Sequence, residues 1–207
     1  MSRRRDPILT ATEQAATELA SRPSADLLLG TRRLIWRSIG KRLESPADRG
    51  RSQPHIRRYS LAKRAVEKVL PMWDMSFPTE KGPHLMIQSS RDILDRRIRE
   101  KQARALWEEN WHFVDDLADK HDDPAIAVGY AACQLIQVAT CDELFEPTTT
   151  DWALTDQDVQ PVELDSAFCA CAAYARGAIW DDGSSANLRR EFWNWWIATA
   201  TVLTESK

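Results

Sequence analysis

The chain has 207 residues, 43% of them hydrophobic and 29% charged, with a formal net charge of −3. That length suits one domain, or one domain with an N-terminal appendage, and this balance excludes an intrinsically disordered chain. The small net charge hides a polarity: residues 1–64 carry 15 Lys and Arg against 6 acids, a net +9, while residues 108–182 carry 2 against 17, a net −15. Such asymmetry bears on partners rather than on fold.

Helical signals dominate from the N-terminus onward. Asp6-Pro7 is a cap followed by a proline at the first helical position, and it predicts a helix to about Ser21. Ser24 can cap a second helix through Leu43, although Gly30 and Gly40 each weaken it by about 1 kcal/mol relative to Ala. Residues 45–54 read as a loop. A third helix is expected from Ile56 to Leu70, stopping at Pro71, with a loop at Pro78–Pro83 and helices near 84–99 and 102–121. Asp123-Pro124 repeats the cap-plus-proline signal and predicts a helix to about Phe145. Glu146 to Leu164 is the longest irregular stretch. Asp165 can cap a helix to Trp180, Asp181 to Ser184 form a turn, and a last helix begins near Ser185.

That last helix holds Arg189-Arg190-Glu191-Phe192-Trp193-Asn194-Trp195-Trp196. At about 100° per residue its apolar arc covers more than half the circumference, so other helices must surround it. Small residues of the two preceding helices (Ala127, Gly129, Ala131, Ala132, then Ala170, Ala172, Ala173, Ala175, Gly177) leave room for its rings. Arg189 falls inside the arc, where stacking on indole and pairing with Asp181 or Asp182 would satisfy it. No strand alternation is convincing. The prediction is an all-α, single-domain bundle of about eight helices with the Trp-rich C-terminal helix packed centrally. Residues 1–54 form a basic N-terminal helical segment and residues 55–207 the main all-α domain. The expected core includes Trp73, Trp107, Trp111, Trp180, Phe192, Trp193, Trp195 and Trp196.

Signals for chemistry are sparse. Phosphate-binding loops, Rossmann glycine patterns, H-E-x-x-H and G-x-S-x-G are all absent. His112 with Asp115, and His121-Asp122, suggest a metal-dependent helical hydrolase of HD type. The two histidines are nine positions apart, which places them about 180° apart around one helix, too far to share a metal. His84 and His55 follow loop prolines without a neighbouring acid in sequence. No metal or cofactor is therefore expected, and no catalytic residue. Cys133, Cys141, Cys169 and Cys171 form no C-x-x-C pair and read as small buried residues in a reducing compartment. With no signal peptide visible, the cytoplasm is the expected location. The uncharged run from Pro124 to Cys141 reaches the edge of transmembrane length but reads as a buried soluble helix.

The helix near 102–121 offers a different feature. Glu108, Asp115, Asp119 and Asp122 form a stripe opposite its apolar face. Asp115 and Asp119 repel at i,i+4, and the later acids oppose the helix dipole. A basic partner, or the protein's own N-terminal third, would relieve this. Among that third, Arg32, Arg33, Arg37, Lys41 and Arg42 could meet phosphates, but no recognition-helix motif accompanies them, so nucleic acid is not the expected partner.

Val69-Leu70-Pro71-Met72-Trp73-Asp74, followed by the Pro78–Pro83 loop, resembles a pattern of bacterial immunity proteins. Ala175-Arg176-Gly177-Ala178-Ile179-Trp180 and then Arg189 to Trp196 resemble the C-terminal signature of the same family. This is the all-α immunity family numbered five among those neutralising polymorphic toxins, and the similarity spans residues 55–200. It implies a non-enzymatic protein that binds and blocks a cognate toxin, with a basic nuclease as one candidate. The expected contact residues are Glu108, Asp115, Asp119 and Asp122 on the helix and Asp151, Asp156 and Asp158 on the long loop. A generic helical adaptor is the remaining alternative.

Overall fold

The side chain of Asp6 accepts a hydrogen bond from the backbone N–H of Ile8 (3.2 Å) and, with Pro7 behind it, opens α1 (Pro7–Ser21). The computed structural model describes residues 6–40, 52–141 and 154–205. The next helix, α2 (Leu29–Ser38), starts later than Ser24 would place it. Its cap comes from α1: Glu18 accepts from the Leu28 N–H (2.7 Å) and from the Thr31 hydroxyl. A carboxylate at a helix N-terminus satisfies free N–H groups and opposes the dipole. Gly40 ends the segment at φ +148°, where a Cβ would lie 2.8 Å from Pro54 Cγ.

Ser52 caps α3 (Gln53–Ser76), which runs through Pro71 instead of stopping at it. Pro71 is exposed, and the carbonyl it would crowd belongs to exposed Glu67 and can turn to water. Beyond the proline, Trp73 is fully buried and donates from Nε1 to the Glu80 carbonyl (2.7 Å), and Phe77 packs on its ring. Burial of those two rings outweighs one lost backbone bond.

α4 (Gly82–Leu94), α5 (Glu100–Ala118) and α6 (Ile126–Thr140) follow, then a single 3-10 turn (Pro161–Glu163), α7 (Ser166–Tyr174) and α8 (Ala186–Glu205). The described residues thus hold eight α-helices and no strand, an all-α bundle. α6 packs against four helices, with eleven of its 15 residues buried between α3, α4, α5 and α7. Gly129 permits this: a Cβ there would lie 2.8 Å from Val114 Cγ2 and 3.2 Å from the Trp73 ring. No described helix is long and apolar enough to cross a membrane.

α7 ends at Tyr174, six residues before the expected Trp180. Arg176 adopts φ +62° and Gly177 φ +139°. Their N–H groups return to the carbonyls of Ala173 (3.1 Å) and Ala172 (2.8 Å), the paired bonds of a Schellman stop.

α8 packs against α1, α3 and α7. Phe192, Trp193 and Trp196 are fully buried, and Trp196 meets Trp36 edge-on at 5.4 Å. Trp195, Trp107 and Trp111 are half-buried against the core, whereas Trp180 is 41% exposed and lies outside it. Trp180 stands on the loop after α7, stacked on Phe168 at 5.7 Å, because the helix has already ended. Arg189 pairs with neither Asp181 nor Asp182: it donates to the Ser24 carbonyl (2.8 Å) and to the Ser184 hydroxyl (2.7 Å). Arg190 donates to the carbonyls of Leu19 (2.6 Å) and Arg22 (2.9 Å), a cation at the C-terminus of α1.

The buried centre of this corner is Arg32, with no exposed surface. Its Nε donates to Asp165 (2.7 Å), one terminal nitrogen to the Leu27 carbonyl and to Asp156 (3.1 Å), and the other to Asp156. Burial alone would disfavour its charge, but Asp156 and Asp165 outweigh that and hold it more firmly protonated than a free guanidinium. Phe168 and Trp193 lie 5.3 and 5.6 Å from it. Asp26 is also buried here; desolvation raises its pKa, against the lowering pull of Arg32.

Replacing Asp156 with Ala strands part of a buried guanidinium and is expected to cost about 3–5 kcal/mol. Urea unfolding checks this. Asp26→Asn acts in the opposite direction. A carboxyl whose pKa is raised by folding stabilises below its unfolded pKa and loses that contribution as pH rises through the folded value. The variant should therefore melt higher than the parent at pH 7, with the gain shrinking as pH falls toward 4. Thermal scans across that range measure it.

Candidate partner-binding surface

α5 packs on α6 through Ala103 and Val114 and turns its other side outward. Glu108, Asp116 and Asp119 stand exposed on it, and Asp122 follows in the turn beyond its last residue, Ala118. None of these four has a hydrogen-bond or ion-pair partner for its side chain among the described residues. Asp115 is half-buried and accepts from the Tyr130 hydroxyl (2.7 Å), which ties α5 to α6. Burial, then this bond to Asp115, raises the tyrosine's pKa. Four of the acids predicted on this helix thus lie on or just past it, with Asp115 partly committed to the fold.

The loop acids divide. Asp158 is exposed and accepts from the N–H and hydroxyl of Thr155 (both 2.7 Å), bonds that lower its pKa. Asp156, expected on the binding face, is only 4% exposed, and Arg32 occupies both its oxygens. It is a core residue because a fully buried guanidinium needs a buried counter-charge. Asp151 lies outside the described residues. Arg32 is likewise unavailable to phosphates, and Lys41 and Arg42 lie outside the described residues.

The histidines are scattered. His112 is exposed on α5, and His121 is exposed past its end with its ring edge-on to Phe77 at 5.4 Å. His55 is buried, its Nε2 2.6 Å from the Val138 carbonyl. His84 does have an acid partner: Nε2 lies 2.8 Å from Asp74, ten residues away in sequence, and that bond lowers the carboxyl's pKa. No three His, Cys, Asp or Glu among the described residues are placed to hold a metal ion. Cys133, Cys169 and Cys171 are buried, and desolvation pushes the Cys133 thiol up to about 12.

At the end of α5 the acid face runs into an open cleft of about 920 Å³. Its walls are the turn after α5, the start of α6, α7 and the loop from Arg176 to Gly183. Two aromatic pairs line it: Trp111 with Tyr130 (5.0 Å) and Phe168 with Trp180 (5.7 Å). Asp122, Asp123, Asp181 and Asp182 contribute carboxylates, and Arg176 one guanidinium. The Asp123 carboxylate accepts from the Ala125 N–H (2.8 Å), which opens α6, and Asp181 accepts from the Ala178 N–H (2.6 Å), which braces the loop. Gly177 is needed for that bracing: a Cβ there would lie 3.0 Å from Asp181.

Of the predicted contact acids among the described residues, Asp122 alone lines this cleft. Asp181 and Asp182 read in sequence as a turn and as partners for Arg189. Trp180 reads as core because helical spacing extends through it. The Arg176-Gly177 pair was the one available signal that the helix stops early.

The model of a protein family described as Immunity protein Imm5 matches residues 12–202, most of the chain. No curated protein matches it.

Gly177→Ala is expected to cost about 1–3 kcal/mol, since the residue would occupy a backbone region that L side chains rarely adopt. Chemical denaturation gives the size. Faster amide exchange at Ala178 and Asp181 than in the parent would show that the loss is local to the cleft wall.

Proposed function

Because the chain belongs to the Imm5 family of immunity proteins, we propose that it neutralises a cognate toxin by binding it through the acidic surface of α5 and the adjoining turn. The observation that carries this reading is the set of exposed acids Glu108, Asp116, Asp119 and Asp122, without side-chain partners among the described residues, on a chain of that family. Such a row is mildly destabilising in isolation, since like charges at i,i+3 and i,i+4 repel and acids near a helix C-terminus oppose its dipole. A basic partner converts that local cost into attraction. Opposite potentials also raise the association rate, which matters for an inhibitor that must intercept a toxin before it acts.

The described cations of the N-terminal third form no ion pair with these acids; Arg32 pairs with Asp156 and Asp165, and Arg58 donates to the Gly40 carbonyl. The acid face is therefore left to a second molecule. In this reading the protein acts by occlusion, carries no catalytic group or cofactor of its own, and works in the cytoplasm, where the toxin is made. A toxin with a phosphate-binding, basic active site, such as a nuclease, is the matching partner.

Glu108→Lys, Asp119→Lys and Asp122→Lys combined should weaken binding to the cognate toxin at least ten-fold and flatten its salt dependence. Calorimetry at two ionic strengths, with circular dichroism to confirm folding, checks this. Affinity unchanged in the folded triple variant would overturn the assignment of this surface.

A further inference from the structure

We propose that the cleft beyond α5 is a receptor for an arginine-bearing segment of the toxin, an inference that rests on the toxin-binding reading and gives it a specific contact. The cleft sets four carboxylates against one guanidinium, so its charge is negative. Two of the four are committed: Asp123 to the start of α6 and Asp181 to its own loop. Asp122 and Asp182 are exposed and have no side-chain partner among the described residues.

Arg176 could have neutralised one of them and does not. Its backbone is fixed at φ +62° by the Schellman stop of α7, and its side chain is exposed without a partner among the described residues. The cleft therefore keeps two open carboxylates next to an aromatic wall. That wall is solvent-accessible where it matters: Trp180 is stacked on Phe168 on one side and 41% exposed.

This combination selects for arginine. A planar guanidinium stacks on an indole face and takes a carboxylate through paired N–H groups, whereas an ammonium does neither as well. The aliphatic stem of the same side chain can lie along the apolar wall. A volume of about 920 Å³ exceeds what one side chain fills and sits near the top of the range, about 300–1,000 Å³, that holds a whole small ligand. The rim is open at Asp122, Asp182 and Gly183, so a strand or loop carrying the arginine can lie across it. Charge complementarity favours a basic segment over an acidic or neutral one.

The probe is a hexa-arginine peptide titrated into isotopically labelled full-length protein, with hexa-glutamate as control. NMR should show shifts at the Trp180 indole N–H and the Gly177 and Gly183 amides, with the buried Trp36 indole unmoved. Asp122→Asn combined with Asp182→Asn should weaken peptide binding at least ten-fold while preserving the spectrum of the fold. Shifts scattered over the surface, or an affinity indifferent to the double substitution, would overturn the cleft as a receptor. The purified toxin separates this from the broader reading. If the parent binds toxin and the double variant binds equally well, the cleft falls and the immunity reading stands. If the parent seats hexa-arginine in the cleft but does not bind the toxin, the toxin-binding reading falls, and with it the assignment of the cleft to a toxin segment.

Discussion

A fully buried arginine is the constraint around which this bundle is organised. Arg32 leaves water entirely, a step that costs several kcal/mol unless its donors are met. They are met from three parts of the chain. Asp165, which also caps α7 by accepting from Ala167 and Phe168, takes Nε; Asp156 takes both terminal nitrogens; the Leu27 carbonyl takes one more. The same guanidinium lies over Phe168 and Trp193. One side chain of α2 thereby fixes the approach to α7, the start of α7 and the inner face of α8. Apolar packing alone would tolerate sliding among these elements, while directed charge-assisted bonds do not.

The tryptophans serve that arrangement chiefly by volume. Trp193 and Trp196 bury indole N–H groups that find no hydrogen-bond partner among the described residues, a cost that large, well-packed rings offset. Their rings meet edge-on at 5.6 Å, and Trp36 of α2 joins them. The arginines preceding them act as clamps on the backbone: Arg189 holds the α1–α2 connection and Arg190 the end of α1. The segment with the densest aromatics and charges is thus internal machinery of the fold.

That division explains where surface chemistry remains. The strong positive and negative halves of the sequence do not simply cancel across a solvent face. Part of the cancellation is internal, in the Arg32 cluster, and consumes Asp156 and Asp165. Glu108, Asp116, Asp119, Asp122 and Asp182 are left outside without partners among the described residues. α5 and the cleft beside it form a continuous acidic edge on a protein whose family is one of immunity proteins.

The helical class, most helix starts and the inward turn of Phe192, Trp193 and Trp196 were legible in the sequence, because caps, prolines and apolar period act over a few residues. So was the exposure of Glu108 and Asp119, which needs only helical spacing to be read, whereas Asp115 of the same stripe is half-buried against Tyr130. Three features needed the third dimension. Pro71 does not stop α3, because Trp73 and Phe77 find burial beyond it. Asp156 is not a surface acid, because Arg32, 124 positions away, reaches it in the core. Trp180 is not core, because α7 stops at a left-handed arginine and carries the ring out to wall a cleft. Each depends on what a residue meets across the bundle: local patterns set which elements form, and long-range pairing of charge and volume decides which side chains are left for a partner.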